Sequence, residues 1–215
     1  MEPNVYYRIG AERMKQARAI VTRERVLRAA GTIFGRVRYS KATLVDVADE
    51  VGMTTGVIYF HFGSKQELAR ALIIAEGEIA EAIAKEALAG SDKGLAGLRT
   101  LSYRWAEQIQ RNPIVGGGVR VTFERPELVP EINMAYLVWL NTSEMYLRDA
   151  AEAGELVTRR SPEEVAYFVT SAFTGVHLMS SVLTEKEDLL ERVDQMWDIV
   201  LHPLTIKALP ETIVA

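Results

Sequence analysis

The sequence predicts an all-α protein of about nine helices, and three observations carry that reading. Apolar residues recur at three- and four-residue spacing in one segment after another, the period that gathers them on one helix face. Capping residues and prolines punctuate these segments where helices are expected to start and stop. Strict polar–apolar alternation, the mark of a half-buried strand, does not occur, and no repeat of fixed period is present.

The first apolar stripe is Val26, Ala30, Ile33, Phe34 and Val37, which predicts a helix ending near Arg36. Thr43 stands three residues before Asp46 at the head of Leu44, Val47, Ala48 and Val51, a capping box with Asp in place of Glu or Gln. Gly52 is expected to close this helix in the left-handed conformation. Thr54 or Thr55 caps the next helix, which runs through Phe60 and stops at Phe62-Gly63. All three units are expected to be very short. Ser64 and Glu67 then form a full capping box opening a long helix, with Leu68, Leu72, Ala75, Ile79 and Ile83 facing inward.

After a loop at residues 90–94, Leu95, Leu98, Leu101, Trp105 and Ile109 mark a further helix. Asn112-Pro113 supplies a cap and an N1 proline for the one after it, and residues 125–131 read as a connector with two prolines. A helix is expected from Ile132 to about Ala153, stopped by Gly154. Ser161-Pro162-Glu163-Glu164 opens another, and the last carries Leu189, Val193, Trp197 and Val200 and ends before Pro203. The domain boundary is expected inside the long helix from Ser64, giving residues 1–66 and 67–215.

Composition narrows the chemistry. The 215 residues contain no cysteine, which excludes a disulfide scaffold, a thiolate nucleophile and any metal site built on Cys, and fits a reducing compartment. No cationic and apolar leader opens the chain, and no apolar run approaches the roughly 18–20 residues of a membrane span. A cytoplasmic protein that does not enter membranes is the expectation. His61, His177 and His202 are scattered, and neither H-E-x-x-H nor G-x-S-x-G occurs, so no catalytic residue, cofactor or metal is expected.

The net charge of −4 hides a split: residues 1–70 hold 12 basic and 7 acidic side chains, whereas residues 71–215 hold 13 and 22. Residues 1–41 alone hold 10 basic against 3 acidic. A basic end on an acidic chain suggests a polyanionic partner, although a solvated Arg-rich helix face gives the same count.

Residues 43–62 have the layout of a helix-turn-helix, whose second helix enters the DNA major groove. An ordinary helical hairpin with Tyr59 and Phe62 in its core has the same layout. Gly56 removes a side chain where the backbone would approach a base or phosphate. Thr54, Thr55 and the free N–H groups of the helix start suit phosphate oxygens, as do Tyr59 and His61. Lys65 opens the next helix, where its charge is expected to meet the DNA backbone.

From Thr22 to Leu68 the chain resembles the DNA-binding domain of the tetracycline-repressor (TetR) family. The resemblance rests on Thr22-Arg23, Ala29-Ala30, Ile33-Phe34, Tyr39, Thr43-Leu44, Asp46-Val47-Ala48, Val51-Gly52-Met53-Thr54, Gly56 to Phe62, and Ser64 to Leu68. It implies a repressor whose DNA contacts fall on Arg23, Thr43, Thr54, Thr55, Gly56, Tyr59, His61 and Lys65. Two departures stand out. Arg38 occupies a position where the family usually has Gly, costing about 1 kcal/mol if that residue is left-handed. Thr55 replaces a basic residue common in relatives, so the operator sequence does not carry over.

Tyr59-Phe60-His61-Phe62 is similar to the bacterial-hormone receptors that sense γ-butyrolactones and related furans or butenolides. Asn112 to Val115, Gly118-Val119-Arg120, Ala135 to Trp139, Ala151 to Leu156 and Ala172 to Gly175 follow the same pattern. The resemblance implies a lactone-, furan- or butenolide-type inducer near Trp139, whose indole offers a flat apolar wall and one N–H donor. Trp105, Val119, Phe123 and Phe168 are expected to line the same cavity, with Tyr136, Thr142, Ser143 and Thr174 as orienting polar groups. Gly116-Gly117-Gly118 leaves room for ligand, makes this helix easy to shift, or marks a close helix crossing. The last two long helices are expected to pair with those of a second copy, placing two reading heads on a pseudo-palindromic DNA operator. A regulator of a drug or antibiotic product, and a helical small-molecule carrier that never meets DNA, are the alternatives.

Overall fold

The computed structural model describes residues 4–128 and 134–205, excepting the side chains of residues 4–13, 134 and 202–205. The expected helix start at Ile132, the side chains of Arg8 and Arg13 among the ten basic residues of 1–41, and that of His202 lie outside what is described. Nine α-helices occur among the described residues: α1 (Asn4–Arg36), α2 (Leu44–Val51), α3 (Thr55–Phe62), α4 (Lys65–Ala89), α5 (Gly94–Arg111), α6 (Pro113–Glu124), α7 (Met134–Glu152), α8 (Pro162–Leu183) and α9 (Leu189–Thr205). A 3-10 turn spans Pro126–Leu128, and no strand is found among these residues.

Two of the three expected capping boxes close; at the third, Ser64 accepts from the Glu67 N–H at 3.1 Å, but its own N–H donates to the Phe62 carbonyl rather than to Glu67. Thr43 accepts from the Asp46 N–H while Asp46 accepts from the Thr43 N–H, closing the box at the head of α2. Gly52 ends that helix at φ 69°, ψ 39°, where a side chain would clash with the carbonyl behind it. Ser161 and Glu164 close the same reciprocal box at the head of α8. Two further expectations change. The first helix is not short: it has 33 residues, because residues 4–25 lack an apolar stripe yet are built mostly of good helix formers. Arg38 is not left-handed, since Glu185 and Lys186 alone among described non-glycine residues have positive φ; the expected strain is absent.

The chain forms two compact units that differ from the expected division at residue 66. The first comprises Met1–Glu76 and Pro113–Pro130, the second Gly77–Asn112 and Glu131–Ala215. α6 joins the first unit because backbone meets backbone along α1. A Cβ on Gly31 would stand 2.3 Å from the Pro113 carbonyl oxygen, and one on Gly117 would stand 2.4 Å from that of Gly31. Gly118 has a different reason: a Cβ there would lie 2.8 Å from the Glu76 carboxylate. For Gly117 the triple glycine is therefore a close helix crossing, and for Gly118 it makes room for the Glu76 side chain.

Arg120 donates to the Gly35 carbonyl and pairs with Glu124, which in turn accepts from the Tyr39 N–H at 2.7 Å. The core of this unit gathers Val26, Ala30, Phe34, Val47, Ile58, Leu68 and Leu72, all essentially without solvent contact.

In the second unit, α5 packs on α7 and α9, and α8 on both α7 and α9. Leu98, Leu101, Ile109, Leu147, Val169 and Trp197 fill its interior. One face of α8 stays uncovered: Tyr167, Phe168, Met179, Val182 and Leu183 are each more than half exposed. By length and composition α8 also passes as a membrane-crossing helix, at mean hydropathy 1.3, although the sequence contains no uninterrupted apolar run of that length. Thr170, Ser171, Thr174 and His177 break the run without lowering the average far.

Candidate nucleic-acid interface and small-molecule cavity

α3 is held from behind by Ile58 and Phe62, both buried, which turns Thr55, Gly56, Tyr59 and Phe60 toward the outside. Thr54 is the N-cap but its hydroxyl makes no capping bond, so it stands exposed at a helix end whose first N–H groups have no carbonyl partner within the helix. Ser40, Lys41, Thr43, Val45, Thr55, Tyr59, Ser64 and Lys65 line an open depression between the head of α2 and the outer side of α3. Backbone N–H groups, hydroxyls and a phenol on one concave surface suit a phosphate chain.

Gly56 is informative because nothing in the fold demands it. An added Cβ would have as its nearest neighbour the Thr54 hydroxyl at 3.7 Å, ordinary van der Waals contact. A helical Gly costs about 1 kcal/mol relative to Ala, so its presence suits an outside surface that must come close.

Three expected DNA contacts prove to be partly committed within the protein. The Thr43 hydroxyl donates to the Asp46 carboxylate at 2.8 Å and accepts from the Asp46 N–H. Lys65 donates to the carbonyls of Tyr39 (2.6 Å) and Ala42 (2.7 Å), and its ammonium lies 4.3 Å from the centre of the Tyr39 ring. Burial, then the Arg125 charge, pushes its pKa down. Lys65 thus pins the α1–α2 loop to the start of α4, leaving one N–H of three. Arg23 lies 5.1 Å over the Phe62 ring, and Arg25 of the basic segment donates to the Val51 carbonyl at the end of α2. Lys15 and Arg18 are exposed. His61 is half-buried beside the rings of Phe60 and Phe62.

The second unit holds a small cavity of about 10 Å³ lined by Ala80, Ile83 and Ala84 of α4, Leu101 and Trp105 of α5, and Ala135, Val138, Trp139 and Thr142 of α7. Trp139 stacks on Phe173 at 4.9 Å between ring centres. Its indole N–H is buried without a hydrogen-bond partner, as are the hydroxyls of Ser143 and Thr170. Such orphaned donors are uncommon in finished interiors and mark places where a polar guest gains.

Of the expected lining residues, Trp105 and Trp139 face this cavity and Ser143 is buried one position beyond the lining Thr142. Phe168 does not: it is 59% exposed on the open face of α8, because its helical register opposes that of the buried Ala166, Thr170 and Phe173. Tyr136 and Thr174 are half-buried and outside the lining, while Val119 and Phe123 sit on α6 of the first unit.

Residues 26–72 match the profile of the bacterial regulatory proteins of the tetR family. A solved structure described as the molecular basis for control of antibiotic production by bacterial hormones aligns over 87% of this chain and 99% of its own, at 32% identity and a TM-score of 0.76. The chain belongs to the TetR family. This TetR-family protein is also 26% identical to the A-factor receptor protein of Streptomyces griseus, over 88% of this chain and 67% of that one. It shares its fold with CprB of Streptomyces coelicolor, solved in complex with its biological operator sequence (24% identity, 91% and 92% coverage, TM-score 0.77). The relatives are transcriptional regulators rather than enzymes, and the helix-turn-helix that defines a TetR-family repressor is in place here.

Phe60 and Val45, 84% and 57% exposed, are the apolar members of this surface that the sequence reading passed over. The helical period held the signal for the first. Phe60 falls two residues after Ile58 and two before Phe62, which turns it to the side opposite both.

Proposed function

We propose that this protein is a homodimeric, ligand-responsive repressor that sits on a pseudo-palindromic operator and leaves it on binding a small lactone- or furan-like signal. The outward face of α3, with a glycine the fold does not require, is the single observation that carries the DNA half of this reading. Thr54, Thr55 and Tyr59 hold the phosphates around it, while Thr43 keeps α2 capped beside them. Arg23 and the exposed cations of α1 add attraction along the duplex. Each phosphate neutralised steepens the fall of log K with log salt by about 0.9.

Dimerisation through α8 and α9 covers Tyr167, Phe168, Met179, Val182 and Leu183 together with the 73%-exposed Ile199, a patch too apolar to leave in water. A second copy then presents a second α3 to the other half-site.

The ligand half rests on Trp139, whose N–H is unpartnered, and on the unpartnered Ser143 hydroxyl one turn further along α7. A cavity of about 10 Å³ admits roughly one water, whereas ligand pockets span about 300–1,000 Å³. Binding therefore requires the cavity to open, and a ligand that binds only the opened form shifts the population toward it. α4 lines the cavity at Ala80–Ala84 and begins beside the DNA-facing depression at Lys65, so displacement of that helix reaches the reading head by chain continuity. A 100-fold loss of operator affinity needs about 2.7 kcal/mol of such coupling.

A gel shift on the promoter DNA flanking the gene, with and without γ-butyrolactones, furans and butenolides, tests both halves. Release by one class supports the full reading. Binding that ignores all of them removes the hormone assignment and favours a regulator of a drug or antibiotic product. Failure to bind any promoter fragment leaves the helical carrier.

A further inference from the structure

We infer that Phe60 is a base-reading residue that sets operator specificity by packing on the C5-methyl group of a thymine in the major groove. The inference rests on the DNA-binding reading above and names which base feature that surface selects.

Phe60 is the most exposed of the large apolar side chains described in the protein, at 84%. Its backbone lies opposite the buried pair Ile58 and Phe62, so the fold gives it nothing to pack on. It shares a helix face with Gly56 one turn earlier, and that position leaves the groove-facing side of α3 bare on the N-terminal side of the ring. His61 meets the ring edge-on at 5.2 Å and 84°, restricting where it can swing.

Unlike Thr54, Thr55 and Tyr59 around it, a phenylalanine has no polar atom and offers a phosphate oxygen no hydrogen bond. In the major groove the one apolar base feature is the thymine methyl, which distinguishes T from C and from the purines. An exposed ring on the groove-facing side of a reading helix gains by covering that methyl, and finds only the small C5–H of cytosine at the same place. Methyl burial supports about a four-fold preference per thymine.

The test uses the full-length protein and a duplex that it enriches from a random library. Each thymine of that duplex is replaced in turn by deoxyuridine, which lacks the methyl and keeps the hydrogen-bonding pattern. The wild type is expected to lose about four-fold in affinity at one thymine of each half-site, whereas Phe60→Ala binds the thymine and uracil duplexes equally. Phe60→Leu is expected to keep part of the difference. An equal penalty for wild type and Phe60→Ala, or no thymine whose methyl matters to the wild type, overturns the inference while DNA binding stands. Enrichment of no duplex at all overturns the DNA-binding reading and this inference with it.

Discussion

The backbones of Gly117 and Gly31 lie so close that a Cβ on Gly117 would stand 2.4 Å from the Gly31 carbonyl oxygen. Main chain faces main chain there, so no rotamer change relieves an added methyl. Gly117→Ala should destabilise the protein by about 1–3 kcal/mol or more, read as a lower urea midpoint at unchanged slope. Gly56→Ala makes the opposite pair. Its Cβ fits, and the better helix former should raise stability by up to about 1 kcal/mol while weakening operator binding. Equal effects of the two changes on stability would count against the open surface at Gly56.

Lys65 holds two backbone carbonyls that otherwise face a partly buried gap. Lys65→Met should therefore cost about 1–3 kcal/mol of stability. If its role is this internal one, the salt slope of operator binding stays close to that of the wild type once folding is complete. A slope shallower by about 0.9 would show instead that the ammonium had been neutralising a phosphate.

Glu76 is 1% exposed, one of its oxygens lacks a partner, and burial raises its pKa to about 8. The unfolded carboxyl ionises near 4.3, so between about pH 4.3 and 8 the native state binds the extra proton. Stability from this group is complete below that window and falls as pH rises through it, by at most about 1.4 kcal/mol per pH unit. Thermal midpoints across pH 5–8 check this: Glu76→Gln, neutral at every pH and of similar shape, should flatten the decline. A wild-type curve already flat there would mean that Glu76 is solvated.

His177 pulls the other way. Burial, followed by the Lys186 charge, lowers its pKa to about 4, whereas the unfolded imidazole titrates near 6.5. Its contribution is complete above pH 6.5 and is lost as the pH falls toward 4. Urea midpoints across pH 4–6.5 should fall with acidity in the wild type and less steeply in His177→Gln.

Trp139 combines a stacking surface with an unpartnered N–H. Trp139→Phe should keep the contact with Phe173 and lose the donor, reducing inducer affinity with little change in stability or operator binding. Trp139→Ala should cost about 3–5 kcal/mol of stability as well, because the stacked ring goes too. Calorimetric titration with the inducer found by gel shift separates the two. Equal inducer binding by Trp139→Phe and wild type would leave the indole N–H with no part in recognition.

The order of helices, their caps and the helix-turn-helix were legible from the sequence because they depend on neighbours three or four residues apart. Thr43 with Asp46, Gly52, and Ser161 with Glu164 need no distant partner to do their work. Tertiary structure decided what depends on residues far apart in the chain. α6 joined the first unit through Gly31 and Gly117, 86 positions apart, and Lys65 was drawn from an expected phosphate contact toward the carbonyls of an earlier loop. Phe168 had the composition of a pocket residue, but its direction was fixed only when Ala166, Thr170 and Phe173 turned inward and left it outside. Local spacing settles which face of a helix is apolar; which of several apolar faces meets protein, and how closely, is settled by packing.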